Sequence, residues 1–155
     1  MTKSVCIILA LALFVVSPMA HAGETTIVST TVEGTFEDTS SAVKEAIIGK
    51  GINIAHVLPA SDMLNRTGPA FGYTKGVYDK AEIYEFCSAA ISQKLARIDP
   101  ANIVLCPFTI GVYTLPENPG EVHITYKIPT GKPGSEQAVE EIQALISSIV
   151  EDASW

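Results

Sequence analysis

The chain has 155 residues, 47% of them hydrophobic, with 17 acidic residues against 10 Lys and Arg and a net charge of −7. That length suits one compact domain with its own core, and the acidic balance excludes a nucleic-acid surface, which needs clustered Lys and Arg. With only three cysteines and three histidines, metal or redox chemistry is confined to a short list of side chains.

Residues 1–22 have the form of an export signal: Lys3 at the start, an apolar run from Val5 to Val16, and the small-x-small pattern Ala20-His21-Ala22. Cleavage near Ala22 would leave residues 23–155 as a single domain, exported to the periplasm or secreted. The apolar run falls short of the roughly 20 residues of a membrane span, and no second such run follows, so no span is expected. The expected mature domain retains His56, Met63, Cys87, Cys106 and His123.

The Thr- and Val-rich stretch Glu24 to Gly34 suits an opening strand. In Ser40 to Lys50, Ala42, Val43, Ala46 and Ile47 recur at helical spacing, and Gly49 and Gly51 end the helix. A second strand, Ile52 to Leu58, alternates so that His56 shares a face with Ile52 and Ile54. Pro59 closes it, Ser61 to Arg66 reads as a helical turn, and Gly68 to Gly76 reads as an ordered loop holding Phe71 and Tyr73. Asp79 followed by Glu82 resembles a capping box that opens a long helix from Lys80 to about Ile98, with Ile83, Phe86, Cys87, Ala90, Ile91 and Leu95 on its apolar stripe. Asn102 to Leu115 reads as a central strand interrupted at Cys106-Pro107.

The turn Pro116 to Gly120 then leads into a strand, Glu121 to Ile128, making a hairpin. Val122, Ile124, Tyr126 and Ile128 lie on one of its faces, and His123, Thr125 and Lys127 on the other. Ser135 caps a last helix whose amphipathic face is Ala138, Val139, Ile142, Leu145, Ile146 and Ile149. The order predicts an α+β fold, with helices packed on one face of a mostly antiparallel sheet.

Cys87 and Cys106 lie nineteen positions apart. In an oxidising compartment such a pair can close a disulfide worth about 3 kcal/mol on the chain-entropy estimate. Two reduced core cysteines, or a redox pair, are the alternatives, although the close Cys-x-x-Cys spacing of oxidoreductases is missing. His56 interrupts an apolar face, and Met63 follows seven residues later. An imidazole ligates haem iron, copper or zinc and a thioether suits haem or Cu(I), which makes haem b the first expected cofactor and copper the second. His123 is the remaining candidate. Gly-x-Ser-x-Gly, Gly-x-x-x-x-Gly-Lys, His-Glu-x-x-His and Cys-x-x-Cys-His are all absent, so a binding module is expected rather than an enzyme.

The strand entry Lys50-Gly51-Ile52, the segment Phe86-Cys87 and the strand Leu105-Cys106-Pro107-Phe108-Thr109-Ile110-Gly111-Val112-Tyr113 together resemble the domain of unknown function 302 (DUF302) family, over about residues 35 to 130. Where that family has Cys-Asn-Pro this chain has Cys87-Ser88-Ala89, and Phe108 stands at the family's strand cysteine, with Cys106 on the other side of Pro107. The resemblance implies a small two-layer α+β domain like the TATA-box-binding-protein fold, often dimeric, with no established activity. The resulting expectation is an exported, homodimeric module that binds a small ligand near His56, with Met63 or a second His56 across a dimer as the other ligand and Phe71, Tyr73 and Phe86 as walls. Thiol–disulfide or sulfur-related redox chemistry at Cys87 and Cys106, and a purely structural or protein-interaction role, are the alternatives.

Overall fold

A computed structural model describes residues 26–154; the export signal read in residues 1–22 lies outside the described residues. Five strands form one antiparallel sheet in the order β1-β5-β4-β3-β2. In chain order the elements are β1 (Thr26–Glu33), α1 (Phe36–Gly49), β2 (Ile54–Pro59), α2 (Ala60–Thr67) and β3 (Lys80–Phe86). Next come α3 (Ala89–Ile98), β4 (Phe108–Leu115), β5 (Asn118–Ile128) and α4 (Glu136–Asp152), with short 3-10 turns at Gly68–Phe71 and Pro100–Leu105.

Helices α1 and α4 lie across one face of the sheet, and α3 packs beside α4. Strict alternation in β4 and β5 sends Ile110, Val112, Val122, Ile124 and Tyr126 into the core, where they meet Val43 and Ile47 of α1 and Ile142, Ile146 and Ile149 of α4. Helix α1 starts at Thr35, whose hydroxyl accepts from the Asp38 amide at 3.1 Å, and Glu37 and Asp38 in its first turn suit the positive end of the helix dipole. Gly51, at φ 73°, turns the chain out of α1 in the left-handed region open to glycine.

Two sequence expectations are corrected. Lys80 to Phe86 is a strand between β2 and β4, so the expected Lys80–Ile98 helix is divided. Asp79 caps nothing: its amide donates to Thr114 O at 3.0 Å, extending the β3–β4 ladder by one rung. The true cap is Ser88, in extended conformation, whose hydroxyl accepts from the Ile91 amide. Asn102 to Leu105, expected as strand, instead lies in the second 3-10 turn.

That turn is anchored from within. Asn102, almost fully buried, donates through Nδ2 to Leu95 O at 3.0 Å and to Ser135 Oγ at 2.9 Å, and its Oδ1 accepts from the Lys132 amide at 3.0 Å. One amide side chain therefore ties the end of α3 to the approach of α4, with its main hydrogen-bonding capacity satisfied.

Candidate functional site

The face of the sheet away from α1 and α4 carries the other half of each alternation. Across it, the register sets Thr31, His123, Tyr113 and Ala81 in one row and Ser29, Thr125, Gly111, Ile83 and Leu58 in the next. Helix α2 leaves the end of β2 and walls this face on one side. It is held there by the Ala81 amide, which donates to the buried Ser61 hydroxyl at 3.1 Å.

Between this wall and the strands lies a depression of about 340 Å³ whose lining includes Met63, Leu64, Tyr78, Ile83, Gly111 and Tyr113. Gly111 deepens it, because a Cβ there would stand 3.2 Å from Thr125 Cγ2. A larger hollow of about 590 Å³ opens beside it under the glycine-containing loop, with Phe71, Tyr73 and Val77 in its lining. Leu64 and Tyr78 line both, so the two hollows adjoin along α2 and together make the groove considered below. Met63, Leu64, Phe71, Tyr73 and Val77 are all exposed, Phe71 and Tyr73 by 74% and 70%.

Aromatic contacts stiffen the floor. Tyr78 meets Tyr113 edge-on at 5.2 Å between ring centroids, and Tyr113 stacks on His123 at 4.6 Å with an interplanar angle of 18°. His123 Nδ1 lies 3.2 Å from Thr31 Oγ1 and its Nε2 lies 3.4 Å from Glu121 Oε1, so both ring nitrogens are engaged.

The residues read as a site from sequence are dispersed. A bulge between Ile54 and His56 reverses the alternation of β2. Ile54 stays opposite Phe86, but His56 ends up exposed opposite Glu85 rather than on the Ile54 face. His56 and His123 point to the same side of the sheet but stand three strands apart, at least about 14 Å at the usual strand spacing, too far for one iron to take both. Met63 belongs to the groove, and His56 does not line it.

Phe86, expected as a wall, is fully buried on the helix side and packs edge-on against Phe108. Among the described residues no group of three or more His, Cys, Asp or Glu is placed to hold a metal ion. Tyr78, Ile83, Gly111 and Tyr113, which sequence reasoning did not single out as site residues, come from two stretches, 78–83 and 111–113, that meet because β3 pairs with β4.

Cys87 and Cys106 are paired as a disulfide, with Cα atoms 5.9 Å apart, inside the usual range. Cys87 lies in the two-residue link between β3 and α3 rather than on a helix face, and both cysteines are half-buried. No helix among the described residues is long and apolar enough to cross a membrane.

No curated protein matches the chain. A solved structure of a conserved, uncharacterised DUF302 protein from Bacillus stearothermophilus shares the fold, with a TM-score of 0.67 at 13% identity over 82% of this chain and 97% of that one. The family model for DUF302, a domain of unknown function, matches residues 28–153, and with the five-stranded α+β architecture in view the chain belongs to the DUF302 family.

Proposed function

We propose that this DUF302 domain is an exported binding module that takes a small, flat, largely apolar ligand in the groove between α2 and the open face of the sheet. The observation that carries the reading is the adjacency of the two hollows, which share Leu64 and Tyr78 in their linings. Around that groove five exposed large apolar side chains fall between Met63 and Val77. A concave apolar surface with a few polar groups at its rim is the usual form of a small-molecule site.

Haem b is the ligand class chosen first, because it is planar and largely apolar and Met63 places a thioether at the groove wall. His56 and His123 stand outside the groove lining, so Met63 is the ligating candidate within one chain. Export is inferred from the pattern of residues 1–22.

The test is a hemin titration of the chain purified from an exporting host, followed by visible absorption and referenced to hemin alone. The reading expects a shifted, sharpened Soret band that saturates, and that weakens in Met63→Ala and in Leu64→Glu. A spectrum equal to the sum of its components overturns the haem assignment. If an apolar fluorescent dye also fails to bind, the groove itself is not a site.

A second reading, thiol–disulfide exchange, is supported by the position of Cys87 directly ahead of the Ser88 cap of α3, where the helix amides favour negative charge. Alkylation of both thiols in the folded protein after mild reduction would favour it. Thiols reachable only in denaturant would leave the bond a structural one.

A further inference from the structure

The depression beside α2 does not stop at β4. Its lining runs on over Thr109 and Thr125 to Lys127 of β5 and Ile27 of β1, so it crosses four strands, roughly 14 Å at the usual spacing. At the far side Ile27 is 75% exposed and is the register partner of Lys127. Between the two ends the floor is low, because Gly111 presents bare backbone on which a flat ring can lie closely.

Two lining residues carry charge, Glu82 and Lys127. Glu82 is engaged on the helix side of the sheet: it accepts a hydrogen bond from the Tyr84 hydroxyl, and Lys44 Nζ of α1 lies 3.7 Å from its carboxylate. Lys127 is exposed on the open face, since Ile124 and Tyr126 take the core side of β5, and among the described residues it makes no ion pair. Continuing the β4–β5 register by one residue sets Thr109 opposite it. The next residue in that row is Glu85, two strands from Lys127 at roughly 9–10 Å and outside the lining of the depression. The Thr125 hydroxyl is taken by Val28 O at 3.0 Å, whereas that of Thr109 has no protein partner among the described residues. An ammonium and a hydroxyl therefore stand side by side at the edge of an apolar depression, in a chain where acids outnumber Lys and Arg by 17 to 10. Two adjacent donors match the two oxygens of one carboxylate.

We infer that the groove selects a carboxylic acid: a flat apolar body lies on the Gly111 floor against α2, and its carboxylate is met by Lys127 with Thr109 beside it. This rests on the groove reading above but not on haem. The hollow under the glycine-containing loop offers no such bias, because its lining sets Lys75 against Asp79.

The experiment compares pyrenebutyrate, an anion at neutral pH, with pyrenebutanol, of the same length and uncharged, each titrated with the protein and followed by fluorescence anisotropy. The readout is the Kd of the alcohol divided by the Kd of the acid. Lys127→Met keeps an apolar stem and removes the charge, and should lower this ratio about five-fold, the order of one exposed charge pair, while the alcohol binds as before. Lys127→Arg should keep the wild-type ratio, and Thr109→Val should lower it. Lys127 is exposed, so its variants should keep the wild-type circular dichroism; if Lys127→Met fails to fold, Lys127→Gln serves in its place with the same expectation. Both probes binding with a ratio that the loss of the charge leaves unchanged overturns the proposal and leaves the groove reading standing. Failure of wild type to bind either probe overturns both.

Discussion

Truncating Asn102 to alanine removes three hydrogen bonds from a side chain only 3% exposed, and the expected cost can be worked out bond by bond. Leu95 O still accepts from the Asp99 amide at 3.1 Å, so it is not orphaned. The Ser135 hydroxyl, buried to 1%, and the Lys132 amide both lose their Asn102 partner. At about 1 kcal/mol net per bond, with leftover buried polar groups at the upper end of that range, Asn102→Ala should destabilise the domain by about 3 kcal/mol. For a domain of this size that is a fall in Tm of roughly 10 °C. Urea unfolding followed by far-ultraviolet circular dichroism, at constant m-value, measures it. Ser135→Ala should cost about 1 kcal/mol, and the double variant should cost less than the sum, because the two side chains share a bond. A loss below about 0.5 kcal/mol for Asn102→Ala would show that the segment is held by its backbone and not by this amide.

Three further outcomes are expected. Burial, with help from its hydrogen bond to Glu82, raises the Tyr84 pKa well above the ordinary phenol value. Its contribution is therefore fully present below about pH 10, where the unfolded phenol keeps its proton, and is lost as pH rises beyond that. Tyr84→Phe should flatten the alkaline fall in stability, and parallel wild-type and variant curves would refute the assignment. Reducing Cys87–Cys106, which closes a 19-residue separation, should lower unfolding stability by about 3 kcal/mol, read from urea curves with and without reductant. At Gly131 a Cβ would stand 2.5 Å from Ser135 Cβ, so Gly131→Ala should cost about 1–3 kcal/mol by thermal denaturation; an unchanged Tm would mean that the approach to α4 yields freely.

The parts of the fold legible in the sequence are those where one local period decides the structure. Val122, Ile124 and Tyr126 against His123, Thr125 and Lys127 gave the faces of β5, and the apolar stripe of α4 holds Ala138, Ile142, Ile146 and Ile149 in the core. Strand β3 was misread because Ile83, Phe86, Cys87 and Ala90 happen to fall at spacings of three and four, and because Glu82 and Glu85 look like the polar face of a helix. Pairing on both sides by β2 and β4 overrides that pattern. The cue that could have placed the boundary is Ser88, a good cap residue directly before a strongly helical run. His56 was assigned to the wrong face because a single bulged residue reverses everything after it, which no alternation count detects. Of the candidate site only Met63, Phe71 and Tyr73 were in view. The floor from Ile83, Gly111 and Tyr113 exists only once β3 and β4 are neighbours.

The bond between Cys87 and Cys106 stands one residue beyond Phe86 and two before Phe108, the last pair of the β3–β4 ladder. Along the backbone these neighbouring strands are joined by a long excursion through α3 and the second 3-10 turn. Measured through the sulfurs they are joined almost as closely as the arms of a hairpin. The cross-link thus clasps the end of the β3–β4 ladder directly, while the segment from Ala89 to Leu105 packs back on the core through Ile91, Leu95 and Asn102. A proteolytic nick at the exposed Ile103–Val104 would therefore leave β3 and β4 covalently clasped.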